Sequence, residues 1–174
     1  MRAIPRFIVV LITLGCCVGC DQVSKSAARA LLTSGVTESL FSDSLRLQLV
    51  ENPGSFLSLG ASLPDHVRFA LFTAAVAVLL IGLVCVALFA RLGTTRIIGL
   101  GLVAGGGISN LIDRLFYDGR VTDFLNVGIG SFRTGIFNVA DMAIMAGFAI
   151  LILYRAPNET AGTTDPSQPT PAAT

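Results

Sequence analysis

The chain has 174 residues, of which 53% are hydrophobic and only 13% are charged, and its mean hydropathy is +0.76. Soluble domains carry about a quarter charged residues, so this composition indicates a single integral membrane domain. The formal net charge of +1 creates no general field that would attract nucleic acid, and we expect no nucleic-acid partner.

The first element is a predicted membrane-spanning helix over residues 7–29. An uncharged apolar run extends from Phe7 to Cys20, and a helical pattern continues through DQVSKSAARALL. The apolar run alone is similar to a secretory signal peptide, with its basic start and small residues near the end. With the polar extension, however, the element is long enough to span a bilayer, and Asp21 would lie near its outer end.

A surface β region is predicted over residues 43–60. LRLQLVEN alternates between leucine and polar residues, which is typical of a strand with one buried face. Asn52-Pro53-Gly54 is a strong turn signal, and a second apolar run follows at residues 55–59. We therefore expect a small antiparallel sheet on the membrane surface.

Three further apolar runs predict three more spans. The short connection at residues 91–96 makes the second and third spans antiparallel, and the glycines of the third favour close helix packing rather than a phosphate loop. The tail at residues 156–174 is rich in Pro, Thr, Ala and Ser and is expected to be disordered. The predicted fold is all-α and integral to the membrane, with four transmembrane helices and a small extramembrane antiparallel β region. Its domain would comprise residues 1–155, with the later spans at residues 69–90, 97–113 and 136–154.

Four spans place both termini on one side of the membrane. Arginines precede the first helix, flank the 91–96 loop and follow the last span, which favours the cytoplasm for that side. The opposite side carries seven further basic residues, so the first helix and the shortest loop decide the orientation. Six polar residues would then lie near the outer face: Asp21, Asn52, Asn110, Asp113, Asp123 and Asp141.

Carboxylates are the candidate chemical groups. The sole histidine, His66, lies in an unrelated region, so no Ser–His pair or zinc cluster is expected. Two carboxylates held close retain one proton between them and can both activate a water and protonate a leaving nitrogen. Asp123 and Asp141 lie in similar settings on different elements, so folding could bring them together.

Each polar residue also has a purely structural interpretation, such as a turn former, a surface carboxylate or an ion pair. The residues therefore leave two classes open. One is a membrane-embedded aspartic peptidase that uses Asp123 and Asp141. The other is a small transport or assembly subunit that uses the same charges as an ion or proton relay. Charges are nearly absent from the middles of the spans, which favours a one-sided site.

Five segments resemble, in order, the five motifs of the lipoprotein signal peptidase family, also called signal peptidase II. They are DQVSK (21–25), ENPGSF (51–56), SNLIDR (109–114), VTDF (121–124) and FNVAD (137–141). This resemblance implies that Asp123 and Asp141 are the catalytic pair. The substrate-binding or supporting residues would be Asp21, Lys25, Asn52, Gly54, Asn110, Asp113, Arg114 and Asn138.

The resemblance also implies a reaction and its place. The enzyme would cleave a bacterial prolipoprotein just before its diacylglyceryl-modified cysteine, at the outer face of the cytoplasmic membrane. Its partners would be the diacylated substrate and membrane lipid, and the resemblance implies no metal or organic cofactor. We expect a monomer. Two departures stand out: Ser109 occupies a position where the family has glycine, and only Ser55 separates Gly54 from Phe56 where the family has two small residues.

Overall fold

A computed structural model of the chain describes residues 5–53 and 62–154. Within these ranges four helices and a four-stranded sheet follow one another as helix, two strands, two helices, two strands and helix. The expected class, a helical membrane protein with a small antiparallel sheet, is confirmed. Gly54, the strand predicted at 55–59 and the predicted disordered tail lie outside the described residues.

The helix ends differ by one to four residues from the ends of the predicted spans. The helices are α1 (Arg6–Leu31), α2 (Asp65–Phe89), α3 (Thr94–Phe116) and α4 (Val139–Leu153). The first three are long and apolar enough to cross a membrane, and α4 is a shorter apolar helix of 15 residues. A π-helical segment, Ala70–Ala75, interrupts the regular hydrogen bonding of α2.

The sheet is antiparallel throughout, in the order β1 (Thr37–Leu40), β2 (Leu45–Asn52), β3 (Val121–Ile129) and β4 (Phe132–Arg133). The predicted strand at LRLQLVEN is β2, but within the described residues its partners are β1 and β3 rather than a strand after the 52–54 turn. The first four residues of β3 are all buried, so the sequence lacks the two-residue alternation that marks a half-exposed strand.

α3 is the central helix and packs against each of the other three. Twelve of its 23 residues are buried, compared with four of the 26 in α1. Its glycines permit this close packing, as expected from the sequence. A Cβ added to Gly106 would overlap the carbonyl oxygen of Ala140 in the first turn of α4.

The start of α4 is fixed to the sheet. Phe137 forms an isolated bridge with Leu125 of β3, and its amide donates to the Leu125 carbonyl at 2.9 Å. Asn138 then caps the helix. The extended backbone before the helix therefore hydrogen-bonds to β3, which explains why α4 begins three residues after the start of the predicted span.

The glycine contact predicts that Gly106→Ala destabilises the protein. The added methyl group meets backbone rather than a flexible side chain, so α3 and α4 must separate, at a cost of about 1–3 kcal/mol. We expect a lower melting temperature in detergent by circular dichroism. Gly82→Ala in α2 is the matched control, because no atom lies within 4 Å of its added Cβ. Equal melting temperatures for the two variants would contradict this account.

Candidate active site

Asp123, on β3, is held by two amide side chains. Asn52, at the end of β2, donates from Nδ2 to Asp123 Oδ2 at 2.9 Å. Asn138, the cap of α4, donates from Nδ2 to Asp123 Oδ1 at 2.7 Å. Both carboxylate oxygens therefore have a fixed partner, supplied by a neighbouring strand and by a helix terminus.

Asp141 lies in the first turn of α4 and is held by the same cap. The Asp141 amide donates to Asn138 Oδ1 at 3.0 Å, and the Asn138 amide donates to Asp141 Oδ2 at 3.3 Å. This reciprocal pair is a capping box. Asn110 of α3 donates to the other oxygen, Oδ1, at 3.0 Å. Asn138 therefore binds both carboxylates, that of Asp123 through its side-chain amide and that of Asp141 through its backbone N–H.

The environment of Asp123 changes its acidity. The residue is 3% exposed, and burial raises the pKa of its carboxyl to about 6. The charge of Asp141 raises this pKa further, whereas the hydrogen bonds from Asn52 and Asn138 oppose the shift. A carboxyl with this pKa can both accept and release a proton near neutral pH.

A buried ammonium group, that of Lys25, is linked to Asp141 through Asn110. Lys25 of α1 is fully buried, and its Nζ contacts Asp21 Oδ2 at 2.7 Å, Asp113 Oδ2 at 3.0 Å and Asn110 Oδ1 at 2.8 Å. An ammonium has three N–H donors, so these contacts satisfy all of them. The Asn110 side chain therefore has its oxygen fixed by Lys25 and its nitrogen directed at Asp141.

Asp21 connects Lys25 to the first turn of α4. Its Oδ1 accepts from the Ala140 amide at 2.8 Å, and its Oδ2 accepts from Ser109 Oγ at 2.7 Å. Ser109 is the position where the family motif has glycine, and here its hydroxyl completes the hydrogen bonding of a buried carboxylate. Asp21 therefore joins α1, α3 and α4 immediately beside Asp141.

Asp113 connects the same ammonium to β3. Its Oδ2 accepts from the Thr122 amide at 3.0 Å, and its Oδ1 accepts from Gln22 Nε2 at 2.9 Å. Asp113 also forms a buried ion pair with Lys25, and its side chain is fully buried against α1.

An apolar cavity of about 430 Å³ lies between α2, α3 and α4 and reaches the candidate site. Most of its wall is aliphatic or aromatic, including Leu80, Val103 and Phe148, and its polar lining residues are Asn110, Arg114 and Asp141. One of the two carboxylates therefore lines a cavity suited to a hydrophobic ligand.

The structure brings the predicted site residues together, apart from Gly54, which lies outside the described residues. Seven of them form one hydrogen-bonded network with Asp123: Asp21, Lys25, Asn52, Asn110, Asp113, Asn138 and Asp141. Arg114 joins them at the cavity wall. Across residues 5–53 and 62–154, no group of three or more His, Cys, Asp or Glu side chains is placed to hold a metal ion.

Sequence reasoning missed several members of this network. Gln22 and Thr122 lie inside the motifs, but no pattern indicated that they contact Asp113. The Thr122 hydroxyl also accepts from Arg29, which ties the end of α1 to β3. The contribution of Ala140 is a backbone amide, for which the side-chain sequence carries no signal.

The fold is one found in bacterial membrane enzymes. Two solved structures, each described as a bacterial membrane enzyme structure obtained by the in meso method, superimpose with TM-scores of 0.70 and 0.72. They are 24% and 22% identical in sequence, cover 82% of this chain, and are themselves covered over 84% and 89% of their lengths.

The sequence comparisons specify the family. The model for signal peptidase (SPase) II matches residues 13–156. The lipoprotein signal peptidase of Aquifex aeolicus is 37% identical over 135 residues, covering 76% of this chain and 77% of that protein. That of Oleidesulfovibrio alaskensis is 31% identical over 153 residues, covering 87% and 97%. The chain therefore belongs to the signal peptidase II family and is a peptidase, which decides against the transport or assembly class.

The raised pKa of Asp123 predicts a pH-dependent stability. The native chain holds this proton more tightly than the unfolded chain, so its contribution to stability is complete below the unfolded pKa of 3.8. The contribution is lost as the pH rises through about 6. We expect the melting temperature of the wild type, relative to that of Asp123→Asn, to fall between about pH 4 and pH 6.5. A difference that stays constant over this range would contradict the raised pKa.

Proposed function

We propose that this protein is an aspartic endopeptidase of the bacterial cytoplasmic membrane. It removes the signal peptide from diacylglyceryl-modified prolipoproteins by cleaving before the lipidated cysteine, with Asp123 and Asp141 as the catalytic pair. The observation that supports this most strongly is that Asn138 binds both carboxylates, one through its side chain and one through its backbone N–H, while Asp141 lines an apolar cavity between the helices. No metal or organic cofactor is required by this chemistry.

The chemistry needs one proton shared by the two carboxyl groups. The ionised carboxylate removes a proton from a water molecule, and the water oxygen attacks the scissile carbonyl carbon. The protonated carboxyl then gives its proton to the leaving amide nitrogen as the C–N bond breaks. The signal peptide leaves with a carboxylate, and the lipidated cysteine gains a free amino group.

The asparagines orient the carboxylates but leave each carboxylate oxygen with a second lone pair for further hydrogen bonding. Within the described contacts each of the four oxygens accepts one hydrogen bond, from Asn52, Asn110 or Asn138. A carboxylate oxygen has a second lone pair, which can receive the water or face the scissile amide. The arrangement orients both groups before substrate arrives, which lowers the entropic cost of the reaction.

The supporting residues divide by their exposure. Asp21, Lys25 and Asp113 are fully buried and bind one another, so we assign them to positioning rather than to substrate contact. Arg114 lines the cavity beside Asp141 and can reach substrate. The apolar wall suits the acyl chains or the signal helix, which can enter sideways from the bilayer. The partners are therefore diacylated prolipoprotein and membrane lipid, and a monomer suffices.

The catalytic assignment predicts that Asp123→Asn and Asp141→Asn each nearly abolish cleavage. The amide has the size of the carboxyl group but cannot exchange the proton, so the rate should fall at least about a hundredfold. The measurement is the initial rate of cleavage of a diacylated prolipoprotein by purified protein, with folded yield measured in parallel.

Asp118→Asn is the control for this experiment. Asp118 is exposed in the turn after α3 and has a φ of +52°, a conformation that asparagine adopts as readily as aspartate. We expect it to retain most activity. An inactive Asp118→Asn together with an active Asp123→Asn would show that the pair is wrongly assigned.

In the proposed orientation, both termini are cytoplasmic, and the sheet and the catalytic pair lie near the outer face of the membrane. In a variant lacking the native cysteines, Ser42→Cys and Ser131→Cys should react with a membrane-impermeant maleimide in intact cells. Gly93→Cys, in the loop between α2 and α3, should react only after the cells are opened. All three positions are exposed. The reverse labelling pattern would contradict the proposed orientation.

A further inference from the structure

A second cavity, of about 540 Å³, lies between the start of α2 and the end of α3. Its lining is polar, unlike that of the first cavity, and includes Asp65, Arg68, Arg114, Asp118 and Arg120. In the orientation proposed above, both of these helix ends are at the outer face. The cavity is therefore placed where a hydrophilic chain would leave the membrane.

The two cavities share Arg114 as a lining residue. This side chain lines the polar cavity, and it also lines the apolar one together with Asn110 and Asp141. A peptide bond held at the catalytic pair would accordingly have the apolar cavity on one side and the polar cavity on the other. The expected substrate has the same division, because its signal helix and acyl chains are apolar and the chain after the cysteine is hydrophilic.

The basic and acidic side chains that line the polar cavity differ in their exposure to water. Arg68 contacts Asp65, but the Arg68 side chain is 25% exposed and that of Asp65 is 92% exposed. Asp118 is also exposed. Water screens the carboxylates at the rim more than it screens the less exposed guanidinium, so the interior is more favourable for an anion than for a cation.

Arg120 contributes a second cation whose present contact is weak. It contacts Glu51 at 3.0 Å, and the two side chains are 53% and 56% exposed. Ion pairs this exposed contribute little to stability, so a substrate carboxylate can replace Glu51 at small cost.

The backbone of α2 changes where it borders this cavity. The π-helical segment Ala70–Ala75 contains Thr73, which is 4% exposed and lines the cavity wall. Short π-helical stretches occur frequently at functional sites. This irregularity is independent of the charges and marks the same chamber.

Taking the proposed function as its basis, we infer that the polar cavity binds the first residues of the mature chain after the lipidated cysteine, and that Arg68 and Arg120 make it favour acidic side chains there. The cleaved bond then lies between the two cavities. The lipid and the signal helix remain on the apolar side, and the polar chamber receives the product that leaves toward water.

The test uses three synthetic diacylated prolipoproteins that are identical through the cysteine. They differ at the second and third residues after it, which are Asp-Asp, Asn-Asn or Lys-Lys. We expect kcat/KM of the full-length enzyme to be about two- to fivefold higher for Asp-Asp than for Lys-Lys, as for a contact between partly exposed charges. Arg68→Gln and Arg120→Gln should each bring this ratio closer to one, and added salt should do the same.

Arg46→Gln is the control, since Arg46 of β2 contacts Asp43 in the turn between β1 and β2 and does not line the cavity. Its Asp-Asp to Lys-Lys ratio should equal that of the wild type. Equal rates for the three substrates, or equal losses on all three in the Arg68 and Arg120 variants, would overturn the inference. Failure of the wild type to cleave any of them would instead overturn the proposed function.

Discussion

The buried ammonium group of Lys25 is the interaction on which the rest of the site depends. A charge without solvent must have opposite charge and all its hydrogen bonds supplied by the protein. Lys25 obtains these from Asp21, Asp113 and Asn110, which come from α1 and α3. The same two aspartates bind backbone amides of α4 and β3, so the requirements of one cation bring four elements together.

The candidate site follows from that arrangement. Once Asn110 has its oxygen fixed by Lys25, its nitrogen can only be directed elsewhere, and it binds Asp141. Asn138 performs the equivalent task for Asp123 while capping α4. Carboxylates that would repel each other are thus held by amides, which carry no charge and cannot neutralise the pair by proton transfer.

Part of the fold and of the candidate site could be predicted from the sequence, whereas the remaining features depend on contacts between residues far apart in the chain. The four helices follow from runs of apolar residues, which is a local property. The pairing of β2 with β3 joins residues about 70 to 80 positions apart, and the first four residues of β3 are all buried, so neither periodicity nor turn signals indicated this pairing. The motif resemblance identified Asp21 and Lys25, but not that they are wholly buried and paired with each other. Hydrogen bonds from backbone groups such as the Ala140 amide cannot be predicted from the pattern of side chains.

The shortness of α4 has a consequence for the depth of the reaction. A helix of 15 residues is about 22 Å long, whereas the hydrocarbon core of a bilayer is about 30 Å thick. Extended backbone precedes the helix, and the polar groups of Phe137 are satisfied by β3, as irregular backbone within a membrane requires. In the orientation proposed above, so short a helix would leave Asp141, in the first turn of α4, beneath the level of the lipid headgroups. A transmembrane signal sequence could then be cut without first being lifted out of the bilayer, and the vertical position of the cut would be set by protein architecture rather than by membrane thickness.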